Sequence, residues 1–423
     1  MKVGINNNLF EKIIFFSFFY FLLIIGFIFN ENSTGGAIVD YFNQKTIVQA
    51  FVNNFEESFF SYDKFSTRHS PTLIIFLSFF EKLNINDYII RLIHLHFCLL
   101  LPIFFYLSLK LKFNFTNQNN LYLLVGIIFL SPTFRSLSIW PDSRMLGMTV
   151  FCLSIYYYLK FEENKKFKNC VLNIITCALA SYLSPNFSVF ALFYFYKFII
   201  AYNKEFIKII YIIILNLILA FPAIYYVFIL DIIFFNKPAA ISIDLISNEK
   251  NIFFKNIFNQ ILLVSSIIFF YCIPFIFTKI ISLNKILNPY KLILSLFVLI
   301  ISIYFFDYKY EYTGGGILYK FSYFIFNNNY LFYFICFFSI LIVIDLTSTK
   351  IENLFILLLI FVSNPQISVY HKYFDPMLII FLFILFDFKI NKEKININYN
   401  KYLLYLFFGS FLIVSNLKYL WNT

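Results

Sequence analysis

The chain has 423 residues, a net charge of +11, 61% hydrophobic residues and 13% charged ones. With 64 Phe and a mean hydropathy of +0.79, it is excluded from the ordinary water-soluble domains, because its apolar side chains must face lipid as well as each other. Backbone in lipid closes its own hydrogen bonds, and the apolar runs are too long and uniform for the alternating strands of about ten residues that a barrel needs.

Measured against about 20 residues per span, apolar runs fall at 12–29, 88–109, 120–132, 144–160, 170–183, 187–201, 206–228, 259–279, 291–306, 329–345, 352–363, 376–388 and 402–420. They predict an all-α polytopic transmembrane bundle of about 13 helices, a single domain over residues 1–423. The first run follows Glu11-Lys12 and lacks a small-residue cleavage site, so it reads as a retained helix. Lysines follow alternate runs: Lys110 and Lys112; Lys160, Lys165, Lys166 and Lys168; Lys204 and Lys208; Lys279 and Lys285; Lys389, Lys392 and Lys394. These loops are expected to be cytoplasmic. They absorb much of the positive charge, which therefore does not point to nucleic acid.

The run 72–83 reaches only about 18 Å as a helix, and counting it as a span would invert every later loop. It is expected to lie in the interface or to re-enter. The extracytoplasmic loops are then 30–87, 133–143, 184–186, 229–258, 307–328 and 364–375, and the unusual polar clusters fall within them. A transporter would place such groups at mid-membrane in broken helices. An enzyme working outside the cytoplasm fits better.

Phe, Ile, Asn, Lys and Tyr dominate while Ala, Gly and Arg are scarce, the bias of an AT-rich genome. The six Cys show no CxxC and no metal-ligand spacing, so they read as buried small hydrophobes.

The first loop carries Asp40, Asn43, Gln44, Gln49, Glu56, Glu57, Asp63, Lys64, Arg68 and His69 and ends in Ser70-Pro71. Helical spacing of apolar residues from Gln44 to Phe60 predicts an amphipathic helix on the membrane surface. Asp40, expected just past the first helix, is either a general base for an acceptor hydroxyl or an ordinary flanking acid. The second loop runs Ser131-Pro132, Arg135, Trp140-Pro141, Asp142 and Arg144. There Asp142 either forms a structural ion pair with the arginines or supports one that holds a phosphate. Ser184-Pro185-Asn186 marks a kink or tight turn.

Thr313-Gly314-Gly315-Gly316, between Asp307, Lys309, Glu311 and Lys320, allows close backbone approach to a ligand or is only a turn. It is not a phosphate-binding P-loop. In Tyr370-His371-Lys372-Tyr373-Phe374-Asp375-Pro376, Lys372 and Tyr373 are either a site for a lipid-linked phosphate or an aromatic belt with a snorkelling lysine. His69 and His371 are too isolated for a metal site. No cofactor is implied, and a divalent metal is not indicated. Asn32-Ser33-Thr34 is a glycosylation sequon, meaningful only in a eukaryotic secretory compartment.

This layout resembles the polytopic glycosyltransferases of the C superfamily (GT-C), which take sugars from polyprenyl-phosphate or polyprenyl-diphosphate carriers. Asp40 sits where these enzymes carry the acid of the first loop. Arg68-His69-Ser70-Pro71-Thr72-Leu73 is similar to the basic residue and Pro that close that loop. Ile89-Ile90-Arg91-Leu92 is similar to the Arg-Leu that opens their next helix, and Ser131-Pro132 through Asp142 to their second loop.

Within the superfamily the chain looks most like the dolichyl-phosphate-glucose-dependent alpha-1,2-glucosyltransferase and its bacterial relatives. The resemblance rests on Asp40-Tyr41-Phe42-Asn43-Gln44, on Tyr62-Asp63-Lys64-Phe65-Ser66-Thr67-Arg68-His69-Ser70-Pro71 and on Lys372-Tyr373-Phe374-Asp375-Pro376. Tyr41 replaces a Glu of that family, Asn43 a His and Lys372 an Arg.

The resemblance implies inverting sugar transfer outside the cytoplasm, with a polyprenyl-phosphate sugar donor and a lipid-linked glycan or protein acceptor among membrane lipids. Asp40, with Asp142, would be catalytic. Asp63, Arg68, His69, Arg144, Gly314, Gly315, Gly316, Lys372 and Tyr373 would bind substrate. The rival reading is an envelope polysaccharide polymerase or a flippase or transporter. Polymerases of that kind carry their large outer loop late, and here the longest comes first.

Overall fold

A computed structural model describes residues 7–65, 67–113, 121–234, 252–283, 288–310, 314–364, 366, 368–388, 390–395 and 397–422. Ser66, Lys285, Glu311, Thr313 and Lys389 lie outside them. The described residues are helical and contain no strand, only an isolated bridge between Ile281 and Ile390. The chain divides into two compact units, Met1–Lys237 with Tyr405–Thr423, and Pro238–Leu404.

The first unit contains α1 (Asn7–Ile28), α2 (Ala37–Asn53), α3 (Phe55–Phe60), α4 (Pro71–Lys82), α5 (Asp87–Cys98) and α6 (Leu100–Phe113). It continues with α7 (Leu121–Gly126), α8 (Pro132–Ile139), α9 (Ser143–Asn164), α10 (Phe167–Leu183), α11 (Ala191–Ala201) and α12 (Phe206–Ile224). The second contains α13 (Ile252–Phe277), α14 (Pro289–Tyr304), α15 (Gly316–Phe326), α16 (Tyr330–Thr347), α17 (Ile351–Val362), α18 (Met377–Ile384) and the single turn α19 (Lys392–Ile395). The last helix, α20 (Asn398–Asn422), starts in the second unit and from Tyr405 belongs to the first.

Among the described residues, five helices are long and apolar enough to cross a membrane: Phe10–Ile28, Asp87–Phe113, Phe206–Ile229, Asn256–Phe277 and Tyr330–Thr347. A sixth is available if Leu121–Leu130 and Pro132–Ile139, bent by 64°, form one span. These helices are consistent with an integral membrane protein. Several other expected spans are shorter pieces, such as the 17-residue α10, the 12-residue α17 and the 8-residue α18.

Local chemistry explains where the elements differ from the sequence expectation. The surface helix expected at 44–60 begins instead at Ala37, because the Asn32 side chain accepts the Ala37 N–H at 3.0 Å. It ends at Asn54, whose extended backbone breaks the helix and whose side chain caps α3. Asp40 therefore sits in the first turn of a helix, where its charge suits the helix dipole. The 133–143 and 307–328 loops also contain helices, α8 and α15. In α4, α8 and α14 a Ser or Asn cap followed by Pro starts the helix, at Ser70-Pro71, Ser131-Pro132 and Asn288-Pro289.

Within each unit some lysine-bearing turns meet. In the first, α9 carries the chain for 22 residues from Ser143 to the lysine turn, where the Tyr202 hydroxyl donates to the Lys165 carbonyl at 2.9 Å and Lys208 lies 4.6 Å from the Tyr202 ring. In the second, Lys291 pairs with Asp345, Lys350 with Asp387, and the Asn391 N–H bonds the Ile280 carbonyl at 2.8 Å. These contacts gather the lysine-bearing turns of each unit. All six cysteines are free and buried.

Candidate functional site

At the end of the first unit away from its lysine turns, residues 30–34 are engaged one by one. Arg91 Nη2 donates to the Asn30 side chain at 2.9 Å, and Trp140 Nε1 donates to the Glu31 carbonyl at 3.0 Å. Ser33 Oγ donates to the Pro132 carbonyl at 2.8 Å, and the Thr34 and Ser136 hydroxyls lie 3.0 Å apart. Asn32, 3% exposed, accepts the Ala37 N–H where α2 begins. The sequon is thus built into the fold.

Arg135 and Glu31 form a buried ion pair, with side chains only 9% and 10% exposed. Arg135 Nε lies 2.8 and 2.9 Å from the two carboxylate oxygens, and Nη2 also donates to the Leu22 carbonyl of α1 at 3.0 Å. Gly26 leaves the space they occupy, since a Cβ there would meet both Glu31 and Arg135. From the sequence, Asp142 either pairs with the arginines or supports one that holds a phosphate. Arg135 instead takes Glu31, which is 104 positions away, so the sequence carried no local signal.

Asp142 is 2% exposed and caps α9 by accepting the Arg144 N–H at 2.8 Å. Its own N–H reaches His94 Nε2 at 3.4 Å, while His94 Nδ1 lies 3.0 Å from the Ser138 carbonyl. His94 therefore donates through Nδ1 and accepts through Nε2. Its role was missed in the sequence because a histidine inside an apolar helix resembles ordinary core. Arg91 lies 3.5 Å from the centre of the Trp140 ring and 5.1 Å from that of Phe27, and its Nε donates to the Ile139 carbonyl at 3.2 Å.

His69 brings the first and second loops together through a 2.9 Å hydrogen bond between Nδ1 and the Ser143 hydroxyl. Arg68 and Arg144 flank the two partners in sequence. Asp63 lies in the short turn Tyr62–Phe65, anchored where the Tyr62 hydroxyl donates to the His69 carbonyl at 2.9 Å. Asp40 is half-buried. Its neighbour Tyr41 lies 5.8 Å from Trp140, ring centre to ring centre, and donates to Asp87. Burial, then the Asp87 carboxylate, push the Tyr41 phenol up. Asp40, Asp63, Arg68, His69, Asp142 and Arg144 thus belong to one set of interlocked segments.

Gly314, Gly315, Gly316, Lys372 and Tyr373 belong to the second unit. Gly314, Gly315 and Gly316 all have left-handed backbones, with φ of 101°, 86° and 76°. Their faces are occupied internally: a Cβ would come within 2.6 Å of the Val369 carbonyl at Gly314, 2.6 Å of the Tyr319 ring at Gly315 and 3.1 Å of Ile267 at Gly316. The Gly315 N–H bonds the Val369 carbonyl at 2.8 Å. Close packing of loop on loop is sufficient reason for the three glycines.

The neighbouring segment is tied down by amides from α13. Asn256 donates to the Gln366 carbonyl at 2.6 Å and Gln260 to the Asn364 carbonyl at 2.8 Å. Tyr373 is buried and donates to the Gln366 side chain at 2.8 Å, while Lys372 lies 5.5 Å from the Tyr370 ring. His371 Nε2 is 2.9 Å from the Tyr271 hydroxyl, and burial pushes its imidazole down to about 3. Among the described residues no group of three His, Cys, Asp or Glu is placed to hold a metal ion.

No protein-family model, no curated protein and no solved structure matches the chain.

Proposed function

We propose that this chain is a membrane glycosyltransferase that moves a sugar from a polyprenyl-phosphate donor to a lipid-linked glycan or protein acceptor on the extracytoplasmic side. The acceptor hydroxyl attacks the anomeric carbon from the face opposite the leaving lipid phosphate and gives its proton to Asp40. Cationic side chains of the first unit, with Arg68 and Arg144 as candidates, offset the charge that grows on the phosphate.

The observation that supports this reading most is the division of chemistry within the first unit. The lysine turns meet at one end, and the first and second loops interlock at the other around Asp40, His69 and Asp142. Asp142, spent as a helix cap, is better assigned to positioning than to proton transfer.

Membranes containing the full chain, supplied with a polyprenyl-phosphate sugar and a lipid-linked acceptor, test the proposal. Asp40→Asn should abolish transfer while the protein inserts and melts as wild type. A fully active variant would remove Asp40 from the mechanism.

A further inference from the structure

Within the first unit, Tyr41, Lys45 and Gln49 follow one another at four-residue intervals and share one edge of α2. Each of them bonds a carboxylate of another helix. The Tyr41 hydroxyl and Lys45 Nζ both donate to Asp87 Oδ1, Lys45 at 2.9 Å. Gln49 Nε2 donates to Glu81 Oε1 at 2.7 Å, and Lys45 Nζ lies 3.9 Å from that same oxygen. A polar seam therefore ties α2 to the last turn of α4 and to the first residue of α5, where the apolar helix Asp87–Phe113 begins.

The two ends of the seam differ. Gln49 is exposed, and a wet polar contact adds little stability. Tyr41 is 3% exposed, so its hydroxyl depends on the acceptor that Asp87 supplies. Burial, then the Asp87 carboxylate, push the phenol up, which keeps it protonated and donating near neutral pH.

The buried end is also the end that carries Asp40. The residue before α2, Gly36, has no side chain to cap the helix. The Asp40 N–H bonds the Gly36 carbonyl at 2.9 Å, and Asn32 accepts the Ala37 N–H at 3.0 Å. Tyr41 then holds the turn from the side, with its ring 5.8 Å from that of Trp140 and its hydroxyl on Asp87. Asp87 is 46 positions from Tyr41 in the chain.

We infer that Asp87 is a positioning residue for sugar transfer: through Tyr41 it fixes the first turn of α2 and so the direction in which Asp40 presents its carboxylate. This deepens the transferase reading and rests on it for the role of Asp40 alone, since the hold of Asp87 on α2 belongs to the fold. A reacting group displaced by about 1 Å loses about a hundredfold in rate. The contact therefore acts on kcat and leaves donor binding as it is.

The experiment uses the purified full chain, followed by amide hydrogen exchange and, with a polyprenyl-phosphate sugar and a lipid-linked acceptor, by transfer kinetics well below the melting temperature. Asp87→Ala and Tyr41→Phe should each speed exchange at residues 40–44 by about tenfold, as local opening becomes easier. They should lower kcat by about tenfold to a hundredfold with the donor KM unchanged. The double variant should be no slower than the slower single one, because both remove the same contact. Asp87→Asn keeps an acceptor oxygen for Tyr41 and should recover most of the rate. Gln49→Met cuts the exposed end of the seam and should leave kcat as in the wild type.

A wild-type kcat in Asp87→Ala overturns the inference, whatever the exchange shows. An equal fall of kcat in Gln49→Met also overturns it, because the loss would then be one of general stability. If Asp40→Asn is inactive while Asp87→Ala transfers normally, the inference falls and the transferase reading stands. If Asp40→Asn is fully active, Asp40 leaves the mechanism and the positioning role goes with it.

Discussion

The loop end of the second unit closes upon itself, whereas that of the first leaves chemistry unspent. In the second, the glycine faces are filled by Val369, Tyr319 and Ile267, and the amides of α13 tie down the segment that follows α17. In the first, residues 30–34 and α8 interlock just as tightly, yet Arg68 remains half-buried without a described partner. Residue types that suggest ligand binding in a sequence, such as consecutive glycines, can be consumed by packing. The informative residue is the one left over after packing is accounted for.

The comparison breaks most sharply at the Glu31–Arg135 pair. Removing one partner strands a buried charge, so Glu31→Gln or Arg135→Leu should destabilise the first unit by about 3–5 kcal/mol. The double variant Glu31→Leu/Arg135→Met should recover most of that, since an apolar pair of similar volume replaces a buried ion pair at little cost. Melting of the purified variants checks both. A single variant as stable as wild type would mean that the pair is not tightly held.

That pair also marks the limit of what the sequence disclosed. The contact between the Lys165 and Lys208 turns, and that between residues 280 and 391, agree with lysines recurring after alternate apolar runs. Ser70-Pro71 and Ser131-Pro132 also stood out in the sequence, and each starts a helix. The start of α2 did not, because its buried stripe of Ala37, Tyr41, Gln44, Val48 and Phe51 contains polar members that hide the helical period. Partners far apart in the chain, such as Glu31 with Arg135 and His69 with Ser143, leave no mark in a single sequence.

The next largest effect tests whether the glycine loop is a packing device. Gly314→Ala places a Cβ against the Val369 carbonyl at a φ of 101°, so it should cost about 3 kcal/mol. Gly35→Ala, at a φ of 76° but with open space around it, should cost only about 1–2 kcal/mol. Equal losses at the two positions would mean that backbone strain alone, and not loop-on-loop packing, requires Gly314.

His371 extends the test to pH. Its pKa falls from an ordinary 6.5 to about 3 through burial, so above pH 6.5 both folded and unfolded chains carry it neutral and its contribution is complete. As pH drops from about 6.5 toward 3 the unfolded chain takes up the proton first, and stability falls by up to about 1.4 kcal/mol per pH unit. Lys372 beside it opposes a second positive charge, whereas Asp375, whose N–H bonds the His371 carbonyl at 3.2 Å, and the Tyr271 hydroxyl surround it from the other elements. The difference in melting between wild type and His371→Gln should open across that window. If it stays constant, His371 is reached by water.

The smallest expected effect has the opposite sign. Gln44 lies on the buried stripe of α2, is 3% exposed and has neither amide atom hydrogen-bonded among the described residues. Such a group costs about 1–3 kcal/mol when dry and unpaired. Gln44→Met fills the same volume without that penalty, so it should raise stability by about 1 kcal/mol. A loss instead would show that water or another partner satisfies the amide, and the dry packing between α2 and its neighbours would have to be redrawn. Measuring transfer on the stabilised protein separates two reasons for a polar residue there: unchanged activity makes Gln44 a dispensable flaw in the core, whereas activity lost as stability rises makes the amide a contact needed only with substrate in place.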